Sequence, residues 1–209
     1  MKFLLILALI YGASSCGFSQ NFNSLEGNGW IVRDVITNDD KQIINDFLEV
    51  ELQKRVYRPY FDRIFVIKEE LGILSPLKYY EISYQWKDYP IKLSSNKDWI
   101  LDSLQIENLK NQHRDKSFYH WKFSDFTSFD AIVVERALLD GITNKGAKSI
   151  FDKGVIIRLS APLRIDDNHA FISFISIFNE AGFWPIENCA VLLKKRDGKW
   201  VEDSVYYTE

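Results

Sequence analysis

The sequence predicts an α+β fold in which an antiparallel β-meander, formed by the carboxy-terminal half, is packed by two or more amphipathic helices. Three observations predict it. Apolar residues recur at three- and four-residue spacing in the amino-terminal half, at Ile43, Ile44, Phe47, Leu48 and Leu52. From Val155 onward the chain is a succession of apolar runs separated by turn residues. Asp197-Gly198, between Arg196 and Lys199, reads as a two-residue hairpin turn, because both of its positions need positive φ.

The chain of 209 residues opens with Met1-Lys2, the apolar run Phe3 to Tyr11, and the small residues Gly12-Ala13-Ser14-Ser15-Cys16. That order is the order of an export signal. The run is about half the ~20 residues a membrane-crossing helix needs, so the segment reads as a cleaved leader. Two cuts are open. Ala13-Ser14-Ser15-Cys16 resembles a lipoprotein box, imperfect at Ala13, and would end the leader at residue 15 and lipidate Cys16, tethering the protein to a membrane face. Gly17-Phe18-Ser19 would end it at residue 19 and release a soluble periplasmic or extracellular protein. Residues 20–209 are then expected to form a single α+β domain.

Trp30-Ile31-Val32 is a short strand candidate. Asp39 or Asp40 can cap the first helix, which is expected to end near Tyr57 ahead of Pro59, with Lys54, Arg55 and Arg58 suiting its negative end. From Tyr79 the period changes to two: Tyr80, Ile82, Tyr84 and Trp86 alternate with Glu81, Ser83, Gln85 and Lys87, the pattern of a half-buried strand. Asn96 or Asp98 opens a second helix carrying Trp99, Leu101, Leu104, Ile106 and Leu109, which decays at His113-Arg114-Asp115.

The later elements follow in the same way. Val155 to Ser160 is a strand stopped by Pro162, and Asp166-Asp167-Asn168 supplies a turn. Ala170 to Phe178 is almost wholly apolar, rich in Phe and Ile, and reads as a central strand covered on both faces. Asn179 to Glu187 reads as a loop, Cys189 to Leu193 as the next strand, and Trp200 to Tyr207 as the last.

Several segments, taken together, resemble a class of short, uncharacterised exported bacterial proteins. They are Gln105 to Gln112, Tyr119-His120-Trp121-Lys122-Phe123, the Ser-x-Pro strand at Ser160-Ala161-Pro162, Asn168 to Ile172, and the closing Lys194-Lys195-Arg196-Asp197-Gly198-Lys199-Trp200 hairpin. The resemblance implies an architecture and no activity.

Composition narrows the function. The formal charge is −3 and becomes one unit more negative when Lys2 leaves with the leader; the charges are mixed along the chain, so nucleic acid is not an expected partner. Cys189 is left without a disulfide partner once Cys16 is removed or lipidated. No G-x-S-x-G nucleophile turn is present. His113, His120 and His169, with Asp115 and Asp125, lack the close pairs of a metal site, and no metal or other cofactor is expected. Cys189 with His169 is a conceivable nucleophile pair, but the cysteine lies in a strand, where a thiol is inert. Paired acids at Asp39-Asp40, Glu69-Glu70 and Asp166-Asp167 suit caps and turns. The expected function is therefore non-catalytic, the binding of an envelope protein or small ligand, with an envelope hydrolase as the alternative. Phe183 and Trp184, in the expected loop, are the candidate contact residues, because rings on a loop have less structural excuse than rings in a strand.

Overall fold

The computed structural model describes residues 31–33, 35–60, 63–85, 99–113, 117–140, 151, 154–179 and 183–207. Cys16 and the expected leader lie outside these residues. Among the described residues no helix is long and apolar enough to cross a membrane.

Strand β1 (Ile31–Arg33) leads to helix α1 (Asn38–Glu51). Thr37, rather than Asp39 or Asp40, is its cap. The Thr37 hydroxyl oxygen accepts from the Asp40 amide at 3.1 Å, and the Asp40 carboxylate accepts in return from the Thr37 hydroxyl at 2.7 Å. Helix α1 stops at Glu51, and a 3-10 turn over Arg55–Tyr60 carries Tyr57 into the core. The expected basic tail does not serve the helix end: Lys54 turns back to Glu51 and across to Glu202.

Strand β2 (Arg63–Ile67) precedes helix α2 (Ser75–Gln85), which corrects the strand expected from Tyr79 onward. The same residues carry two periods. Tyr80, Ile82 and Tyr84 alternate, but Leu77, Tyr80 and Tyr84 also fall three and four apart, and burial of Leu77 and Tyr80 decides for the helix. Trp86 lies outside the described residues. Helix α3 (Ser103–Gln112) starts at Asp102, whose carboxylate accepts from the Gln105 amide at 2.8 Å while the Gln105 side chain accepts from the Asp102 N–H at 2.8 Å. Asn96 and Asp98, the expected caps, are outside the described residues. The helix ends at His113 as expected.

Next come β3 (Ser117–Tyr119), β4 (Ala131–Val134), the short helix α4 (Arg136–Asp140), β5 (Gly154–Leu159), β6 (Leu163–Arg164), β7 (His169–Asn179), β8 (Phe183–Arg196) and β9 (Lys199–Tyr207). β1 and β3 pair in parallel apart from the rest. The main sheet has the order β4-β2-β5-β7-β8-β9, with β6 also on β7. β5, β7, β8 and β9 make the predicted antiparallel meander. The β4-β2-β5 half is parallel, so the sheet is mixed. Asp197 and Gly198 have φ of 51° and 82°, as the two-residue turn requires.

Both faces of the sheet are covered. On one, Ile43, Ile44, Phe47 and Leu48 of α1 pack on Val66, Ile157, Ile172, Phe174, Val191 and Leu193. On the other, Leu77 and Tyr80 of α2 and Ile106 of α3 pack on Phe171, Leu192 and Tyr206. β7 supplies alternate residues to both layers, which is why its sequence is apolar but for Ser173 and Ser176 between Ala170 and Phe178. The aromatic residues are largely spent here. Tyr80 meets Phe171 at 5.2 Å and Tyr206 at 5.0 Å between ring centroids, and its hydroxyl bonds both the N–H and the carbonyl of Leu101 at 2.9 Å.

Candidate functional site

The structure corrects the setting of the candidate contact residues. Phe183 and Trp184 are not on a loop: they open β8, with their backbones in register with Asn179 and Phe178 of β7. Their side chains lie outside the described residues. Sequence reading missed the extension because Pro185 and Gly182 look like loop punctuation; the strand absorbs the proline with a bulge, Ser176 pairing with Glu187 and Ile177 with Pro185 so that Ile186 is the extra residue. β9 joins β8 only from Cys189 onward, where Cys189 faces Tyr207. Among the described residues, the outer edge of β8 over Phe183–Asn188 is therefore unpaired.

A group of ionisable side chains collects beside this free end, from four places in the chain. Glu51, at the end of α1, is 3% exposed; one carboxylate oxygen accepts from the Tyr57 hydroxyl at 2.9 Å and the other meets the Lys54 ammonium at 2.5 Å. Lys54 also contacts Glu202 of β9 at 3.2 Å. The Tyr57 hydroxyl is 2.9 Å from Ser176 Oγ, and Ser176 pairs across the sheet with Glu187, which hydrogen-bonds Tyr207. Two carboxylates thus hold the ammonium directly, and Glu187 lies within reach of their charges. Burial pushes the Glu187 carboxyl above its ordinary value, the charge of Glu51 adds to that, and Lys54 opposes it. Tyr207 is pushed up to about 12, chiefly by burial and then by the charge of Glu187. Burial works against the Lys54 ammonium, but its bonds to Glu51 and Glu202 and their charges hold it above its ordinary range. A shallow dent adjoins the group, with room for about one water molecule (about 10 Å³) between Asp46, Phe47, Val50 and Glu51 of α1 and Trp200, Val201 and Glu202 of β9.

The structure does not assemble the conceivable nucleophile pair. Cys189 faces Phe174 and His169 faces Lys194, five positions along the same ladder and on the order of 17 Å apart at about 3.4 Å per residue. Burial also holds the Cys189 thiol protonated, well above its ordinary value. His169 Nδ1 is 2.9 Å from Asp166 in the turn before β7. His113 caps α3, and Asp125 is a buried structural acid that accepts from the Tyr119 hydroxyl and the Lys122 amide, both at 2.8 Å. Among the described residues no cluster could hold a metal ion.

His120 lies elsewhere, in a place with more chemistry. It forms an isolated antiparallel bridge with Glu69, just past the carboxyl end of β2. Glu135 follows β4 next door, and its carboxyl is held below its usual value first by the hydrogen bond from Lys68, at 2.6 Å, with Glu69 and His120 adding to it. Glu69 accepts from the Arg136 N–H at 3.0 Å. The carboxyl ends of adjacent parallel strands are where ligands are commonly held in open sheets. Glu135 is exposed, however, so the group sits at the surface.

No family model, curated protein or solved structure matches this chain. Its residues alone carry the functional argument.

Proposed function

We propose that the chain is an exported protein that acts by binding a protein or small ligand in the cell envelope, and that contact is made where the free end of β8, the end of β9 and the end of α1 meet. The outer edge of β8 over Phe183–Asn188, unpaired among the described residues, carries the reading. An open edge offers backbone donors and acceptors to a partner, while Pro185 and the bulge limit indiscriminate strand addition. Large side chains are exposed at the same end: Val50 is 58%, Val56 44% and Tyr207 48% exposed. Phe183 and Trp184 lead into this edge, and the hypothesis assigns Trp184 a contact role.

The test compares wild type with Trp184→Ala and Tyr207→Ser in affinity capture from the producing cell's own envelope, with thermal unfolding run in parallel. Loss of a captured partner at unchanged melting temperature supports the assignment. A large fall in melting temperature for Trp184→Ala shows instead that its ring is core, and the contact role is withdrawn. Export itself is tested by intact mass: a mature protein that retains Phe3 to Tyr11 sinks that part of the reading.

One observation favours the hydrolase alternative, namely the grouping of His120 with Glu69, Glu135 and Lys68 at the carboxyl ends of parallel strands. A panel of ester, peptide and glycoside substrates, scored for wild type against His120→Ala, distinguishes it. Turnover that is lost with His120 would replace binding by catalysis.

A further inference from the structure

We propose that Glu187 is a proton-operated latch on the free end of β8: when protonated it holds Phe183–Asn188 closed against β7, and when ionised it loosens them. The geometry comes first. Glu187 sits opposite Ser176, whose hydroxyl meets that of Tyr57, whose hydroxyl in turn binds the buried carboxylate of Glu51. The Lys54 ammonium is engaged by Glu51 at 2.5 Å and Glu202 at 3.2 Å. Glu187 is thus a carboxylate beside an ammonium already held by two others, and its donor is the Tyr207 hydroxyl. The titratable groups facing it are Glu51 and Lys54 at the end of α1, Tyr57 on the 3-10 turn, Cys189 of β8, and Glu202 and Tyr207 of β9; β7 contributes Ser176.

The position in the fold makes this group a latch. β8 has β9 on its outer side from Cys189 onward, but before that its only strand partner among the described residues is β7, through a ladder weakened by the bulge and by the missing N–H of Pro185, with the Tyr79 hydroxyl of α2 donating to Asn188 at 2.6 Å on the opposite face and Ile186 packed on the α1 layer. The side chain of Glu187 is therefore one of the few ties between this end and the layer of α1. Ionised, it is repelled by Glu51 and Glu202; protonated, it is neutral and can donate a hydrogen bond of its own.

The direction of the effect follows from linkage. The Glu187 carboxyl is raised in the folded protein, so its contribution to stability is complete below the ordinary carboxyl value of about 4.3 and is lost as pH rises through its folded value. Glu135 and Asp166 are held below their ordinary values and act in the opposite sense, losing stability as pH falls. A global melting curve sums these effects. A local measurement separates them.

The experiment is hydrogen exchange of the backbone amides of residues 183, 184 and 186–188 in the whole protein at pH 5.0 and pH 7.5, each corrected for its intrinsic chemical rate. Wild type is expected to open about threefold less often, or lower still, at pH 5.0. Glu187→Gln, which stays neutral, is expected to show the pH 5.0 level of protection at both values, whereas Glu202→Gln keeps the pH dependence. Wild-type protection that does not change with pH overturns the proposal, and so does a Glu187→Gln variant that still responds. If that variant does not fold, the carboxyl carbon shift of Glu187 in wild type decides, and titration below the ordinary glutamate range overturns it. None of these outcomes depends on a partner, so failure of envelope capture leaves the latch standing and failure of the latch leaves the binding reading standing.

Discussion

Replacing Asn45 by alanine should destabilise the protein more than any other single polar substitution on α1. Asn45 is buried to 8% exposure, and its amide makes five hydrogen bonds. Nδ2 donates to the carbonyls of Lys41 and Asp125 at 2.8 Å, and Oδ1 accepts from the N–H of Thr127 at 2.7 Å, the N–H of Ser128 at 3.1 Å and the Ser128 hydroxyl at 3.2 Å. The substitution removes the partner of two backbone N–H groups and the Asp125 carbonyl. Thr127 and Ser128 are exposed enough for water to replace part of what is lost, so roughly 1 kcal/mol each is appropriate rather than the full penalty, giving about 3 kcal/mol. In a domain of this size that lowers the melting temperature by roughly 6–12 °C. Thermal and urea unfolding should agree on the loss. Asn45→Asp, which would set a carboxylate oxygen against the Lys41 and Asp125 carbonyls in place of the donor, should cost at least as much as alanine. A loss below about 1 kcal/mol for Asn45→Ala would mean that water satisfies the loop and that Asn45 does not hold it.

Three further outcomes follow from the geometry. Gly198→Val should cost on the order of 1 kcal/mol or more, because Gly198 has φ of 82°; an unchanged melting temperature would show the turn to be tolerant. Gly154→Ala should cost about 1–3 kcal/mol by urea unfolding, because the added Cβ would lie 2.5 Å from the Phe65 ring, and a double variant with Phe65→Leu should recover part of it. Stability should fall above about pH 10, where tyrosine and lysine side chains ionise in the unfolded chain. In the folded protein Tyr57 and Tyr119 are raised chiefly by burial, Tyr80 and Tyr207 are pushed up to about 12, and Lys54 is held up by Glu51 and Glu202. Folding therefore keeps protons that the unfolded chain releases. Chemical denaturation at pH 8 and pH 11 measures it, and equal midpoints would contradict the assignment.

What was legible in the sequence was whatever the chain decides locally. The spacing of Ile43, Ile44, Phe47 and Leu48, the largely apolar run of β7 and the Asp197-Gly198 turn each state their conformation within a dozen residues. Helix α2 was misread because its aromatic residues satisfy two periods at once, and only the ring contacts of Tyr80 with Phe171 and Tyr206 choose between them. The parallel strands were missed for a different reason. Ile64–Ile67 is too short a run to type by period, and its partners lie near residues 131 and 154. The ionisable group at the end of β8 had no sequence signal at all, since Glu51, Glu187 and Glu202 meet only because the sheet brings them together.

The parallel half of the sheet has a consequence for how the chain can reach its fold. β2 completes its pairing only with β5, whose residues come about ninety positions later. A chain emerging amino-terminus first presents Ile64 to Ile67 with no strand to receive them until Ala131 to Val134 have followed, and with one edge still open until Val155 to Ile157 arrive. The β7-β8-β9 ladder, by contrast, closes through near neighbours and can form as soon as it emerges. Assembly should then run backwards along the sequence, the late hairpins templating β5 and β5 capturing the early strand. During that interval the four apolar residues of β2 are exposed to other chains, and holdase capture or a slow, concentration-sensitive refolding phase is the expected signature.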